Sequence, residues 1–149
     1  MTEPTSDPGA AEVPADLFDA AKIARGNAYA PYSKFPVGAA LRTEGGAVFA
    51  GANMENAAYP QGQCAEANAL GAMVSAGGGT RIVEVVVIGG RADAPEDLCT
   101  PCGGCRQKLR EFAADTLIIH ICGPEGLRRT VTLGSLLPLS FGPENLDTD

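Results

Sequence analysis

A nearly unbroken run of β-branched residues in the middle of the chain constrains its fold more than any other feature. Residues 82–88 read Ile-Val-Glu-Val-Val-Val-Ile, without a regular alternation of apolar and polar side chains. A strand with one wet face alternates, whereas a strand covered by helices on both faces is almost continuously apolar. The run therefore predicts a central strand, of the parallel type, inside a layered α/β domain.

The flanking sequence supplies the helices and further strands that such a sheet needs. Helical spacing of apolar residues starts at Asp16, a predicted N-cap, and must end before Pro31. The other predicted elements are a hairpin over 37–41 and 47–52, helices over 65–76 and 102–114, and strands over 116–122 and 129–133. This order predicts an α/β fold, a three-layer α/β/α sandwich whose mixed sheet has a mainly parallel core.

Length and composition fit one domain. The chain has 149 residues, of which 45% are apolar, enough for a substantial buried core. Residues 1–13 have no apolar period and are rich in proline and glycine, so we predict a disordered tail before a domain over 14–149. The acidic start lacks the basic segment of a secretory signal, and no apolar run nears the ~20 residues of a membrane span. We therefore expect a cytoplasmic protein.

Net charge limits the expected partners, and cysteine content limits the expected chemistry. The net charge of −7 repels phosphate backbones and anionic membranes, so neither a nucleic acid polymer nor a membrane is an expected partner. Five cysteines, an odd number in a chain without an export signal, favour metal binding or thiol chemistry over a disulfide framework.

Three of the cysteines have the spacing of a metal site. Residues 101–105 read Pro-Cys-Gly-Gly-Cys, which places Cys102 and Cys105 on one side of a helix start. Cys64 opens another helix, and a third thiolate would leave one position of tetrahedral Zn²⁺ open, as catalytic sites do. Glu66 follows two residues later, where a carboxylate can move protons beside the metal without binding it. The pattern predicts one Zn²⁺ per chain and a catalytic role for Glu66.

Two other interpretations of these cysteines remain open on the residues alone. A non-catalytic, zinc-stabilised interaction domain would use the same thiolates but would not need Glu66. A redox dithiol would need only Cys102 and Cys105. The remaining potential ligands, Cys99, Cys122 and His120, are assigned no role.

At this point the chain resembles a known family over residues 16–146. A Cys-x-Glu followed by Pro-Cys-x-x-Cys is the signature of the zinc deaminases in its three-cysteine form. The whole set resembles the small homotetrameric cytidine deaminases. The further motifs are residues 32–40 (Tyr-Ser-Lys-Phe-Pro-Val-Gly-Ala-Ala), 53–59 (Asn-Met-Glu-Asn-Ala-Ala-Tyr), 105–107 (Cys-Arg-Gln) and 136–143 (Leu-Leu-Pro-Leu-Ser-Phe-Gly-Pro).

The resemblance implies an activity and a substrate. It implies hydrolytic deamination of cytidine and 2′-deoxycytidine to uridine and 2′-deoxyuridine, a reaction of pyrimidine salvage, with a small-molecule nucleoside as the binding partner. A deaminase of the same fold acting on another aminopyrimidine nucleoside, such as a nucleoside antibiotic, is the alternative enzyme. The presence of a ribose-binding pair favours a nucleoside over a free base.

The resemblance also implies the substrate-binding residues. Asn53 and Glu55 match the ribose-binding pair, Phe35 matches the aromatic residue that packs on the base, and Ala57 matches the wall at the base edge. Tyr59 and Phe141 match residues that complete the pocket of a neighbouring subunit. We therefore expect a homotetramer with shared active sites.

One residue departs from the commonest family pattern. The residue after the Cys-Ala-Glu triplet is usually an arginine that binds the zinc thiolates, and here it is Ala67. Three thiolates leave the metal centre with a net negative charge, which weakens Zn²⁺ as a Lewis acid. Helix amide ends and the guanidinium of Arg106, next to Cys105, are the predicted sources of compensating positive charge.

Overall fold

The computed structural model describes residues 12–146 of the chain. Most of the predicted tail, residues 1–11, lies outside the described residues, as do residues 147–149. The last two residues of the predicted tail, Glu12 and Val13, precede the first helix, and Val13 packs against the core there. No helix in the described range combines the length and apolar character needed to cross a membrane.

Every predicted helix and strand is present in the described chain. The elements are α1 (Ala15–Gly26), β1 (Gly38–Thr43), β2 (Val48–Ala52), α2 (Ala65–Ser75), β3 (Ile82–Ile88), α3 (Gly103–Phe112), β4 (Ile118–Gly123), β5 (Gly126–Thr132) and α4 (Leu133–Leu136). Single 3₁₀ turns occur at Tyr59–Gln61 and Pro143–Asn145. Strand β5 begins three residues before its predicted start, because Gly126 takes a φ of +141° and closes a tight turn from β4.

The strands form one mixed sheet in the order β2-β1-β3-β4-β5. Strands β3 and β4 are parallel, and Val86 lies opposite His120 in their register. The other three pairings are antiparallel. The predicted α/β class is confirmed, and the parallel pairing is confined to the centre of the sheet.

Helices cover both faces of the central strand. Val86 and Ile88 of β3 join a cluster with Leu17 and Ala21 of α1. Val85 and Val87 belong to the larger cluster on the other face, which includes residues of α2 and α3. Alternate side chains of β3 thus enter two different cores, which explains the continuous apolar run in the sequence.

The predicted N-cap of α1 is wrong. The helix begins at Ala15, with Pro14 as its N-cap residue, and Asp16 lies in the first turn. There the carboxylate of Asp16 pairs with the Arg42 guanidinium of β1 at 2.8 Å. Proline has a fixed φ that suits a helix start, so the capping position moves two residues upstream of the acid.

Candidate active site

The starts of α2 and α3 bring three cysteines together. Cys64 is the N-cap residue of α2, Cys102 is the N-cap residue of α3, and Cys105 is buried in the first turn of α3. Their Sγ atoms all lie within 4.8 Å of one another. The predicted metal ligands therefore converge, although 38 residues separate Cys64 from Cys102.

The geometry of this cluster fits zinc. The Sγ atoms of Cys64 and Cys102 are 3.7 Å apart, and tetrahedral Zn²⁺ with Zn–S bonds of about 2.3 Å requires about 3.8 Å between sulfurs. The amide ends of two helices meet at the thiolates and favour their negative charge. Three protein ligands leave the fourth position open, which is the arrangement of a catalytic site.

The two other free thiols of the described chain, Cys99 and Cys122, lie outside this cluster. Burial raises the pKa of Cys99 to about 11 and that of Cys122 to about 12. Among the described residues, only Cys64, Cys102 and Cys105 lie close enough together to share a metal ion.

Glu66 lies beside the cluster without belonging to it. It occupies the first turn of α2, and only 5% of its surface is exposed. Burial raises the pKa of this carboxyl above its usual range. A carboxyl shifted toward neutral pH can accept a proton and return it, which is what a proton shuttle requires.

Asn53 ties the end of β2 to the segment that precedes β1. Its side-chain Oδ1 accepts a hydrogen bond from the amide of Val37 at 2.8 Å, and its Nδ2 donates to the carbonyl of Phe35 at 2.9 Å. The backbone amide of Asn53 also donates to Val37 O at 3.1 Å. These three bonds fix Phe35 relative to β2.

Glu55 holds the neighbouring turn in the same way. Its Oε1 accepts the backbone amides of Tyr32 and Ser33 at 3.0 and 3.1 Å. Hydrogen bonding with Ser33 lowers the pKa of Glu55 below its usual value. The second carboxylate oxygen takes part in neither amide bond, so an ionised oxygen is available to a ligand hydroxyl.

A cavity of ≈ 340 Å³ adjoins this carboxylate. Its lining residues are Tyr32, Ser33, Glu55, Asn56, Tyr59 and Gly62. The rings of Tyr32 and Tyr59 lie 5.8 Å apart at a tilt of 59°. The mixture of an ionised acid and aromatic walls suits a small polar ligand with a flat part.

The structure brings some predicted substrate-binding residues together and separates one. Asn53 bonds to the Phe35 backbone, and Glu55 and Tyr59 share the cavity. Ala57 is exposed on the segment between Glu55 and Tyr59. Phe141 lies elsewhere in the chain, where its carbonyl accepts a hydrogen bond from Gln107 Nε2 of α3 at 3.0 Å.

Arg106 bonds to oxygen atoms around the metal loop. Its guanidinium donates to Pro101 O at 2.7 Å, to Leu136 O at 2.9 Å and to Thr100 Oγ1 at 3.2 Å. It thus braces the loop that leads into Cys102. Any effect of its charge on the thiolates acts through space.

The polar residues that join these parts were not predicted from the sequence. Asn68 of α2 donates to the carbonyl of Ala52 at 2.7 Å. Arg110 of α3 binds Ser140 Oγ at 2.9 Å and pairs with Glu144. The available signal for Asn68 was its polar side chain inside the alanine-rich stretch of α2, where an amide is not needed for apolar packing.

An α/β/α sandwich with three converging thiols and a buried glutamate at two helix starts defines the class of zinc-dependent deaminases. Comparison with known proteins supports the same class. The family model for the cytidine and deoxycytidylate deaminase zinc-binding region matches residues 12–121. The chain belongs to this family.

Relatives and solved structures resemble nearly the whole described chain. A cytidine deaminase of Sporosarcina psychrophila is 38% identical over 130 residues, which is 87% of this chain and 92% of the relative. The crystal structure of cytidine deaminase from Burkholderia pseudomallei has a TM-score of 0.76 at 41% identity, covering 85% of this chain and 97% of that one. Cytidine deaminase from Mycobacterium tuberculosis gives 0.72 at 38% identity, covering 85% and 95%.

Proposed function

We propose that the protein is a hydrolase that converts cytidine and 2′-deoxycytidine to uridine and 2′-deoxyuridine with release of ammonia. The observation that carries the proposal is the buried carboxyl of Glu66 beside three converging thiols. The matched relatives, which carry the name cytidine deaminase, support the same substrate. They do not favour another aminopyrimidine nucleoside or a non-catalytic zinc domain.

Cys64, Cys102 and Cys105 would hold one zinc ion per chain. When bound, zinc supplies a Lewis acid that makes water nucleophilic at neutral pH. Glu66 accepts the proton that the attacking water loses as its oxygen bonds to C4 of the base. The same carboxyl delivers that proton to N3, then takes the remaining proton from the new hydroxyl on C4 and delivers it to the amine, so that the C4–N bond breaks, a C4 carbonyl forms and ammonia leaves.

The substrate is bound by residues of two segments. Phe35, which is 43% exposed, has a free ring surface for the pyrimidine. Asn53 and Glu55 engage the sugar hydroxyls, and Ala57 lies along the edge of the base. The depressed pKa of Glu55 keeps its carboxylate ionised for this purpose.

The functional unit is a homotetramer with shared active sites, working in cytoplasmic pyrimidine salvage. Tyr59 and Phe141 are 75% and 57% exposed in the single chain, as residues that complete a neighbour's pocket should be. The charge of Arg106, on α3 next to Cys105, is our candidate for tuning the metal in place of the arginine missing at Ala67.

A paired substitution tests the roles of acid and ligand. We expect Glu66→Gln to keep about one zinc per chain and to lose most turnover of cytidine, because the amide cannot shuttle protons. Cys102→Ala should lose the metal, because two thiolates bind zinc far more weakly than three. Ultraviolet absorbance of cytidine gives the rate, and elemental analysis gives the zinc. Loss of zinc from Glu66→Gln would make Glu66 a ligand and contradict the assignment.

A further inference from the structure

Helix α2 approaches strand β2 more closely than any side chain would allow. A Cβ atom added at Gly51 would collide with the amide of Ala69 and lie 2.6 Å from the carbonyl of Ala65. Both atoms belong to the backbone of α2, so neither can move without the helix. The helix that carries Glu66 is therefore seated directly on β2.

A single side-chain hydrogen bond fixes the end of β2 against that helix. Strand β2 is an edge strand. Ala52 lies opposite Gly38, and the amide of Asn53 donates to Val37 O, so the carbonyl of Ala52 points away from β1. Nδ2 of Asn68 donates to this carbonyl at 2.7 Å in a partly buried position.

The next residue along the chain is Asn53, the start of the segment that carries the sugar-binding pair. Asn68 lies two residues after Glu66 on the same rigid helix. One hydrogen bond thus connects the helix of the acid to the residues that hold the nucleoside.

We propose that Asn68 is a positioning residue for the nucleoside sugar, acting through the carbonyl of Ala52 on Asn53 and Glu55. This rests on the sugar-binding role proposed for that pair. Asn68 keeps the sugar subsite at a fixed distance from the catalytic carboxyl. A substrate that lacks the sugar gains nothing from it.

The test compares ligands with and without the sugar. We expect Asn68→Ala to weaken binding of uridine about fivefold and to raise KM for cytidine similarly, the size of one lost hydrogen bond. Binding of uracil, kcat, and zinc content should stay near wild-type values. Asn68→Asp keeps the shape but sets a carboxylate oxygen against the carbonyl, so uridine should bind still more weakly. Calorimetric titration with uridine and uracil measures the difference.

Two controls separate positioning from general loosening of the helix. Alanine favours helices more than asparagine does, so a loss of sugar binding in Asn68→Ala cannot come from lower helix propensity. Ser75→Ala makes a comparable change at the exposed end of α2 and should alter nothing. Equal weakening of uridine and uracil by Asn68→Ala would overturn the proposal.

Glu55→Gln distinguishes this proposal from the one on which it rests, because its remaining oxygen can still accept the amides of Tyr32 and Ser33. If Glu55→Gln weakens uridine but not uracil while Asn68→Ala changes neither, the sugar subsite stands and the positioning role fails. If Glu55→Gln leaves uridine binding intact, the sugar subsite itself is wrong, and the positioning role falls with it.

Discussion

The side chains of Asn53 and Glu55, our proposed sugar ligands, also hold the backbone of neighbouring segments. Both atoms of the Asn53 amide bind the backbone on either side of Pro36, and one oxygen of Glu55 accepts two amides of the preceding turn. The family resemblance implies that these residues bind the sugar. It gives no information about their structural bonds, since those bonds join side chains to backbone atoms that sequence motifs do not describe.

Substitution at Glu55 can separate its two tasks. Glutamine keeps an oxygen that can accept the amides of Tyr32 and Ser33, but it replaces the other carboxylate oxygen with an amide nitrogen. We expect Glu55→Gln to keep the thermal stability of the wild type and to raise KM for cytidine at least tenfold, since a hydrogen bond to a charged group is worth ~1.5–3 kcal/mol. Glu55→Ala should lose both. Similar KM values for Glu55→Gln and wild type would remove the carboxylate from substrate binding.

The pH dependence of the same KM checks the ionisation of Glu55. Hydrogen bonding with Ser33 lowers the pKa of Glu55 in the folded protein, so its carboxylate stays ionised above the unfolded-state pKa and is protonated only as pH falls through the lower folded pKa. The ionisation of Glu55 should therefore cause no change in KM for cytidine across about pH 6 to 9.

At the scale of elements, strong local patterns predicted most of the fold. The β-branched run defined β3 because both of its faces are buried, and the glycines after residue 76 mark the end of α2. The start of α1 was mispredicted because aspartate is a residue type that favours N-cap positions, whereas Asp16 pairs with Arg42 on β1. The Asn68 contact escaped prediction because it depends on how closely α2 lies over β2, which tertiary packing decides.

Two glycines, one in β1 and one at the end of α1, give a matched test of the close packing between this helix and this strand. A Cβ at Gly38 would collide with the carbonyl of Ala21 and lie 2.6 Å from the amide of Arg25, whereas one at Gly26 meets nothing within 4 Å. We expect Gly38→Ala to lower the free energy of unfolding by about 3 kcal/mol or more. Gly26→Ala should raise it by about 0.5 kcal/mol through helix propensity. Urea unfolding measures both, and equal effects would contradict the tight seating of α1.

At the scale of the whole molecule, the segment after α4 is held in place but left exposed. Gln107 and Arg110 of α3 bind its backbone and side chains. Within it Leu139 is fully exposed and has a φ of +53°, a conformation that costs a non-glycine residue about 1–2 kcal/mol. A strained, exposed leucine near Phe141 does not stabilise a single chain. It is suited to a segment that docks on a neighbouring subunit.

Mixing two inactive variants tests whether that segment serves another subunit. Phe141→Ala damages the pocket that receives the ring, and Glu66→Gln damages the site of its own chain. If Phe141 acts on a neighbour, a Glu66→Gln chain donates its intact ring to a Phe141→Ala chain that still has Glu66. Co-refolded mixtures should then recover activity well above either variant alone, and sedimentation should show a tetramer. If Phe141 completes its own pocket, no mixture can contain a site with both residues intact, so the absence of recovery in mixed tetramers would contradict shared active sites.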